Sequence, residues 1–196
     1  KNQHIRLVPI IDAGVKIEDG YDVYEEGVKN RYFCQREDGS DFVAAVWPGD
    51  THFPDVLNPE ARKWFGDKYR FLTDQGIEGF WNDMNEPAIF YSKEGLEEAK
   101  EMARKFAETG TSNWDGSEKS EETKEDIGVW QLGDKLGSLS NSQDDYKRFY
   151  HNVNGQMVRH DKVHNLFGFN MTRAAGEAFE RIDPDKRFLM FSRSSY

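Results

Sequence analysis

The residues best suited to chemistry lie in one short segment, residues 79–87, which reads GFWNDMNEP. An apolar run ends there in two carboxylates, Asp83 and Glu86, although Gly, Asn and Ser are the more usual turn residues. Side chains alternate along a strand, so Trp81 and Asp83 are expected to lie on one face. A carboxylate beside an aromatic ring at a strand end can act as a nucleophile, as an acid or base, or as a ligand-binding group.

Two further apolar runs also end in polar residues. IRLVPIID (residues 5–12) ends in Asp12, and KRFLMFSRS (residues 186–194) ends around Arg193. Helical patterns separate the runs, and this alternation favours an α/β fold with a parallel sheet and right-handed crossovers. In a (β/α)8 barrel the active site lies at the carboxyl ends of the strands. We therefore expect a partial TIM barrel of about three parallel strands, with Asp12, Asp83 and Arg193 at one edge.

The connecting segments supply the expected helices. Residues 58–76 begin with Asn58 as a helix cap and a proline at the first helical position, which predicts one helix. Residues 92–108 predict an amphipathic helix, and residues 161–182 predict a long one. The Ser-, Gly- and Glu-rich residues 109–145 predict a loop insertion with mobile segments inside one domain over residues 1–196. Four aromatic residues are expected in the helix–sheet core: Trp64, Phe65, Phe167 and Phe169.

The charge balance limits the class of partner. The chain has 36 acidic and 26 basic residues and a formal net charge of −10. This charge opposes binding to nucleic acid or to an anionic membrane surface. No apolar run approaches the roughly 20 residues that span a bilayer, and no signal-peptide pattern is visible. We expect a cytoplasmic protein that binds a neutral substrate.

No motif for a metal or cofactor stands out. The single cysteine, Cys34, excludes an internal disulfide and cannot form a Cys cluster for zinc. The sequence contains neither an HExxH motif nor a Gly-rich phosphate loop. We therefore expect no metal and no cofactor, and we expect His52 and His164 to be ordinary structural histidines.

Carboxylates and aromatic rings at a barrel mouth suit a sugar site. Sugars present apolar faces to aromatic rings, and a carboxylate can stabilise or trap the oxocarbenium-like state of glycoside cleavage. Four segments resemble glycoside hydrolase family 31, in the family's order: VPIIDAGV, VWPGDTHFPDVLNP, GFWNDMNEP and FSRSSY. The third resembles the W-x-D-M-N-E pattern of the family's glucosidase branch.

The resemblance implies a role for each matching residue. Asp83 matches the family's catalytic nucleophile, which forms a covalent glycosyl intermediate with overall retention. Asp12 matches an aspartate that binds hydroxyls of the terminal sugar, and Arg193 matches an arginine that contacts the sugar and the carboxylates. Spacing alone would allow Glu86 to be a second catalytic carboxyl, but we expect a structural residue that hydrogen-bonds near the nucleophile or pairs with an arginine. The implied sugar pocket is lined by Trp47, Trp81, Met84 and Phe90.

The implied activity is hydrolysis of terminal α-linked glucose from neutral oligosaccharides by a retaining α-glucosidase-type enzyme. The family's acid/base aspartate lies in a W-x-G-D-N segment after the arginine-bearing strand, so it is expected downstream of Tyr196, and residues 1–196 are expected to need the remainder of the barrel. Alternatives stay open: a catalytically incompetent sugar-binding or scaffold protein, an α-xylosidase or a transglucosylase. Position alone also allows Asp12 and Asp83 to be capping residues, and Trp47 to be a core residue.

Overall fold

The computed structural model describes residues 4–109 and 127–194 and has a small parallel sheet at its centre. Within these residues the strands are β1 (Ile10–Asp12), β2 (Val15–Lys16), β3 (Ala44–Val46), β4 (Gly49–His52), β5 (Gly79–Asp83), β6 (Tyr91–Ser92), β7 (Tyr150–Val153), β8 (Gln156–Arg159) and β9 (Leu189–Ser192). The helices are α1 (Asp22–Asn30), α2 (Pro59–Asp67), α3 (Arg70–Thr73), α4 (Lys93–Thr109), α5 (Val129–Gly137) and α6 (Leu166–Ile182). Short 3-10 helices span Asp145–Lys147 and His160–Lys162.

The parallel sheet has the strand order β1-β5-β9. Asp12 pairs in register with Asp83, and Asn82 pairs with Ser192 on the other side of β5. The carboxyl ends of the three strands therefore lie at one edge of the sheet. The prediction of three parallel strands joined through helices, without a closed barrel in the described residues, is confirmed.

Two predicted elements are shorter than their sequence patterns. The strand expected over residues 5–12 forms only β1, because residues 5–8 are exposed and lie outside the pairing with β5. The helix expected over residues 58–76 divides into α2 and α3. It divides because the N–H groups of Lys68 and Tyr69 donate to carbonyls three residues back, instead of four.

The two faces of β5 differ. Phe80 is fully buried and packs edge-on against Tyr69, with ring centroids 5.2 Å apart. Asn82 points to the same side, where its Oδ1 accepts a hydrogen bond of 2.5 Å from the Tyr69 hydroxyl. Trp81 and Asp83 alternate with these residues, so they face the other side of the sheet, as the strand pattern predicts.

The helix layer buries most of the expected aromatic core. Trp64, Phe65 and Phe167 are buried, as predicted. The prediction for Phe169 is wrong, since 47% of this residue is exposed. Phe167 and Phe169 lie two positions apart, about 200° around a helix, so α6 cannot bury both against one sheet. No helix in the described part of the chain is long and apolar enough to cross a bilayer.

Antiparallel pairing is more extensive than the sequence patterns predict. The apolar residues after Asp41, FVAAV, have a strand-like pattern, and the structure extends it: β2, β4, β3 and β6 form a second sheet in that order, and β7 pairs with β8. Asn154 and Gly155 both have positive φ at the β7–β8 turn, and an Asn-Gly pair is a strong sequence signal for a hairpin. Strands of two residues, such as β2 and β6, are too short to show any alternation.

The insertion over residues 109–145 is only partly a loop. Residues 110–126 lie outside the described residues, and so does the prediction of mobility made for them. Within the described remainder, Val129–Gly137 form α5 instead of the expected loop, while residues 138–144 have no helix or strand. Lys135 of α5 forms an ion pair of 2.7 Å with Glu98 of α4, so the two helices pack together. The amphipathic helix expected over residues 92–108 is confirmed as α4.

Candidate active site

Arg193 holds the Asp83 carboxylate at the shared edge of the parallel sheet. The Arg193 Nη2 atom donates to Asp83 Oδ2 at 3.2 Å, and the Arg193 Nε atom forms an ion-pair contact of 2.7 Å with Asp83 Oδ1. A two-point contact between a guanidinium and a carboxylate fixes the plane of the carboxylate as well as its position. The expectation that Arg193 reaches the carboxyl ends of the neighbouring strands therefore agrees with the geometry.

The two oxygens of Asp83 have different surroundings. Oδ1 accepts a hydrogen bond of 2.8 Å from the Met84 N–H and also lies 2.7 Å from Arg193 Nε, whereas Oδ2 has only the longer hydrogen bond from Arg193 Nη2. The Asp83 side chain is 11% exposed. Oδ2 is therefore the less engaged oxygen of a largely buried and firmly oriented carboxylate.

Asp12 lies beside Asp83 on the neighbouring strand but does not share the hydrogen-bond donors that hold Asp83. Its Oδ1 is buried and accepts no hydrogen bond from the described residues. Burial raises the pKa of Asp12, the negative charge of Asp83 raises it further, and Arg193 opposes both effects. Because buried polar atoms are nearly always hydrogen-bonded, the unfilled acceptor marks a place for a ligand hydroxyl or a water.

Three aromatic residues of the implied sugar pocket take part in two edge-on ring pairs. The Trp81 ring packs edge-on against Phe191, and the buried Trp81 Nε1 has no partner among the described residues. Trp47, in the turn between β3 and β4, contacts Phe90 edge-on at 4.9 Å. Trp47 is 74% exposed, so the alternative that it is a core residue is wrong. Trp81 therefore supplies one unpaired polar atom, and Trp47 supplies exposed apolar surface.

The loop after Asp83 is clamped to the end of β9. The Asn85 Nδ2 atom donates to the Ser192 hydroxyl at 3.0 Å and to the Ser194 carbonyl at 2.8 Å, while its Oδ1 accepts from the Ser194 N–H at 3.2 Å. Met84 is buried and has a φ of 53°, a left-handed conformation that costs about 1–2 kcal/mol in a residue with a side chain. The Asn85 clamp keeps Arg193 and Asp83 in register in spite of this local strain.

Gly168, near the start of α6, permits this arrangement. A Cβ atom there would lie 2.4 Å from the Ser194 carbonyl oxygen and 2.9 Å from the Asn85 carbonyl oxygen. Both neighbours are backbone atoms of the clamp, so a side chain at this position would displace it. The amino-terminal turn of α6 is thus part of the support for the candidate site.

Glu86 follows Asp83 in the same loop but interacts with a different set of residues. Its Oε2 is buried without a hydrogen-bond partner, and it forms no ion pair with an arginine among the described residues. Burial raises the pKa of Tyr146 to about 12, with a further contribution from the charge of Glu86. Burial lowers the pKa of His164, and Glu86 opposes that shift. Glu86 is therefore electrostatically coupled to Tyr146 and His164.

The structure shows contacts near the site for several residues whose roles the sequence patterns do not predict. Asn85 stood inside the quoted motif, but its clamp role depends on partners more than 100 residues away. His160 and His164 have an HxxxH spacing that is visible in the sequence, and both belong to a hydrogen-bonded chain in which His160 is buried and His164 is half-buried. His52 is buried with its Nδ1 2.7 Å from the Phe42 carbonyl, as expected for a structural histidine.

One buried cluster has the composition of a metal site. Cys34, Asp55 and His151 place one potential ligand atom each within 4.8 Å of the others. His151 Nδ1 lies at hydrogen-bond distance, 2.7 Å, from Asp55 Oδ1, so this nitrogen already has a partner. Burial raises the pKa of Cys34 well above its ordinary value, with a further contribution from Asp55, and the thiolate that a metal needs is disfavoured. The cluster suits a hydrogen-bond network better than a cation.

Sequence comparison places the chain in a known family. The model of the glycosyl hydrolases family 31 TIM-barrel domain matches residues 1–196. The chain is 32% identical over 196 residues to "Alpha-glucosidase 2" of Bacillus thermoamyloliquefaciens, covering 100% of this chain and 19% of that protein. It is 38% identical over 92 residues to "Neutral alpha-glucosidase AB" of Sus scrofa, covering 45% of this chain and 10% of that protein. The chain thus spans a fifth or less of these curated relatives.

Solved structures show the same fold. A family 31 dextranase of Flavobacterium johnsoniae, complexed with glucose, superposes with a TM-score of 0.61 at 18% identity, covering 97% of this chain and 17% of that one. The chain belongs to the TIM-barrel domain of glycosyl hydrolase family 31.

Proposed function

We propose that the protein containing this chain is a retaining glycoside hydrolase that releases terminal α-linked glucose from neutral oligosaccharides. The observation that carries the proposal is the Asp83 carboxylate, oriented by Arg193 beside the unfilled acceptor of Asp12. Relatives that carry the name alpha-glucosidase support the substrate class. The net charge of −10 is compatible with a neutral sugar.

Asp83 is the nucleophile in this proposal. Its Oδ2, the less engaged oxygen, attacks the anomeric carbon, and the bond from that carbon to the leaving oxygen breaks. A second carboxyl group donates a proton to the leaving oxygen. That group then takes a proton from water, whose oxygen displaces Asp83, so that the configuration is retained. The resemblance assigns the second carboxyl to a segment beyond residue 196.

Arg193 acts on Asp83 rather than on the leaving group. Its two-point contact holds the carboxylate plane while Oδ2 approaches the anomeric carbon. The contact with the Met84 N–H keeps Oδ1 directed away from the reaction, because that oxygen is already engaged twice. Preorganised contacts of this kind lower the barrier because little rearrangement is needed during the reaction.

Asp12 and the aromatic residues bind and orient the terminal glucose. The Asp12 Oδ1 accepts a hydrogen bond from a sugar hydroxyl, and the Trp81 Nε1 donates one to a sugar oxygen. The exposed Trp47 ring, supported edge-on by the half-buried Phe90, contacts the apolar face of a sugar ring. Met84 completes the apolar wall next to the nucleophile.

The test is to replace Asp83 with alanine in the protein that contains this chain. Turnover of maltose and p-nitrophenyl α-glucoside should fall by roughly 10⁴-fold or more, because the covalent intermediate cannot form. Glucose binding measured by calorimetry should persist, since Asp12 and Trp81 remain. In the wild type, NMR should show α-glucose as the first product. Asp185→Ala, at an exposed turn before β9, is the matched control and should leave turnover unchanged.

Two results would contradict the proposal. Release of β-glucose as the first product would exclude retention with an α-linked substrate. Sugar binding without turnover in the wild type would favour the rival function, a catalytically incompetent sugar-binding protein. Preferred turnover of α-xylosides, or transfer of glucose to another sugar, would keep the nucleophile and change the substrate class or the acceptor.

A further inference from the structure

Three histidines and an aspartate form a continuous hydrogen-bonded chain. Asp55 Oδ1 lies 2.7 Å from His151 Nδ1, His151 Nε2 lies 2.9 Å from His160 Nδ1, and His160 Nε2 lies 3.0 Å from His164 Nδ1. The four groups come from the segment before α2, from β7, from a 3-10 helix and from the residues preceding α6. His151 and His160 use both ring nitrogens, and the Nε2 of His164 has no hydrogen-bond partner among the described residues.

The inner part of the chain is sealed from solvent. His151 and His160 are 0% exposed, and Asp55 is 3% exposed. The second oxygen of Asp55 accepts a hydrogen bond of 2.6 Å from the Asn152 N–H, so both carboxylate oxygens serve as acceptors. Burial, with smaller contributions from His151 and His164, lowers the pKa of His160 to about 2, which keeps this ring neutral.

When the chain carries no additional proton, its hydrogen bonds set the tautomer of every ring. His151 then donates from Nδ1 to the Asp55 carboxylate, and its Nε2 is an acceptor. His160 must then donate from Nδ1 to His151 Nε2, and His164 must donate from Nδ1 to His160 Nε2. A histidine's protonated nitrogen is set by the partner of the other nitrogen, so Asp55 dictates all three assignments. The bare Nε2 of His164 is left as a proton acceptor.

The outer end of the chain reaches a cavity and the loop of the candidate site. A cavity of about 250 Å³ is lined in part by Tyr146 and His164, whose rings are 4.6 Å apart. Glu86, two residues after Met84, is electrostatically coupled to both rings and has a buried oxygen without a partner. The titratable and charged groups that face His164 are Glu86, Tyr146, His160, Asp161 and Lys162.

We propose that Asp55, His151, His160 and His164 form a proton relay that sets the proton state of His164 and, through it, the charge beside Glu86 behind the Asp83 loop. His164 is a positioning residue in this proposal, because it acts through Glu86 and touches neither the substrate nor Asp83. The proposal deepens the glycoside hydrolase function and rests on it for the consequence for turnover. The relay itself rests only on the hydrogen-bonded chain.

Loading the relay moves one proton and no electrons. A proton from cavity water binds His164 Nε2, and His164 passes its Nδ1 proton to His160 Nε2. His160 passes its Nδ1 proton to His151 Nε2, so the positive charge rests on His151 next to the Asp55 carboxylate. His160 and His164 end as neutral Nε2–H tautomers. The reverse sequence returns the proton to the cavity.

The first test needs no activity. The intact protein, labelled with ¹⁵N-histidine, is measured at neutral pH, and the signals are assigned with His151→Gln, His160→Gln and His164→Gln. All three rings should show a protonated Nδ1 and a bare Nε2. A protonated Nε2 on His160 at neutral pH would overturn the proposal. One equivalent of metal that co-purifies with the protein and is lost in Cys34→Ser would also overturn it.

The second test breaks the relay while keeping its hydrogen bonds. In His160→Gln the amide can still donate and accept, but it cannot pass a proton from one end to the other. The charge then stays on His164, far from Asp55, so His164 should take up its proton at a pH lower by about 0.5 or more. His52→Gln removes a buried histidine outside the chain and should leave the His164 titration unchanged.

The pH dependence of kcat then distinguishes a failure of the relay from a failure of the proposed function. The pH profile of kcat should shift to lower pH in His160→Gln and stay unchanged in His52→Gln, with the melting temperatures of both variants recorded. An identical His164 titration in wild type and His160→Gln would overturn the relay, whatever the activity. If the tautomers are as expected but no glycoside is hydrolysed, the relay stands and the proposed function fails.

Discussion

Asp12 and Asp83 pair in register on neighbouring strands, yet their surroundings give them different chemistry. Asp83 is oriented by Arg193 and by the Met84 N–H, whereas Asp12 has a raised pKa and an unfilled buried oxygen. Pairs of carboxyl groups in unequal environments are typical of sites that divide roles between two acids. At the scale of single residues, this asymmetry supports Asp83 as nucleophile and Asp12 as the sugar-binding group.

The Asp12→Asn substitution should raise the thermal stability of the protein at pH 7 while lowering its activity. The folded state binds the Asp12 proton more tightly than the unfolded chain does, so wild-type stability should fall as pH rises from 3.8 through the raised pKa. Asparagine has no proton to release, so the variant should melt at a higher temperature than wild type at pH 7. This difference should disappear near pH 3. Thermal melts at both pH values check the sign.

The same variant should lose activity by about 10²-fold in kcat/KM, because hydroxyl contacts strengthen in the transition state. The loss should be similar for maltose and for an activated aryl glucoside. A loss confined to maltose would mean that Asp12 supplies the proton to the leaving oxygen, which an activated leaving group does not need. An unchanged kcat/KM would make Asp12 a capping residue.

The strand-end positions of Asp12, Asp83 and Arg193 could be predicted because each closes an apolar run. The Asn85 clamp could not, since its partners, Ser192 and Ser194, are distant in sequence and the contact depends on the left-handed turn at Met84. Side-chain partners across such distances follow from the packed fold rather than from local patterns.

At the scale of elements, the first turn of α6 supports the loop after β5 and the end of β9. The backbone of Gly168 approaches the Asn85 and Ser194 carbonyls so closely that no side chain fits. Gly176 lies further along the same helix and has open space around it. The two glycines therefore form a matched pair for testing whether this helix positions the site.

Gly168→Ala should destabilise the protein by about 1–3 kcal/mol, because backbone atoms must move to admit the methyl group. It should also lower kcat by displacing the Asn85 clamp. Gly176→Ala should stabilise the protein by about 0.5–1 kcal/mol, because alanine favours the helix, and should leave kcat unchanged. Urea unfolding and steady-state kinetics measure both effects. Equal activity in the two variants would show that the clamp does not control the site.

The predictability of the elements follows their length. α6 and α4 show sustained helical periodicity and could be predicted, as could the central strand β5. The antiparallel strands β2 and β6 have two residues each, too few for a period, so only pairing in the folded chain defines them. The division of the predicted helix between α2 and α3 depends on local hydrogen bonding that the capping signals do not specify.

At the scale of the whole molecule, one side of the parallel sheet lacks cover. Ile10 of β1 and both Leu189 and Phe191 of β9 are exposed by more than half. Their strands occupy the two edges of the described parallel sheet. Exposed apolar side chains on open strand edges promote pairing with other chains. The described residues thus have the surface expected of a partial barrel.

Residues 1–196 expressed alone should self-associate as their concentration rises, and should hydrolyse p-nitrophenyl α-glucoside no faster than buffer. Analytical ultracentrifugation and the glucoside assay test the two expectations. The second carboxyl that retention requires, about 5 Å from the nucleophile, is expected outside this segment. A monomer that melts cooperatively and turns over substrate would contradict this account and make Asp12 the candidate acid.

The identity of the nucleophile is the central claim, and covalent trapping tests it most directly. The protein that contains this chain is incubated with an activated fluoro-glucoside, which slows hydrolysis of the glycosyl intermediate, and is then digested for mass spectrometry. The account predicts one added glycosyl group per chain, on Asp83 within the peptide that contains GFWNDMNEP. A label on Glu86 or Asp12 would contradict it.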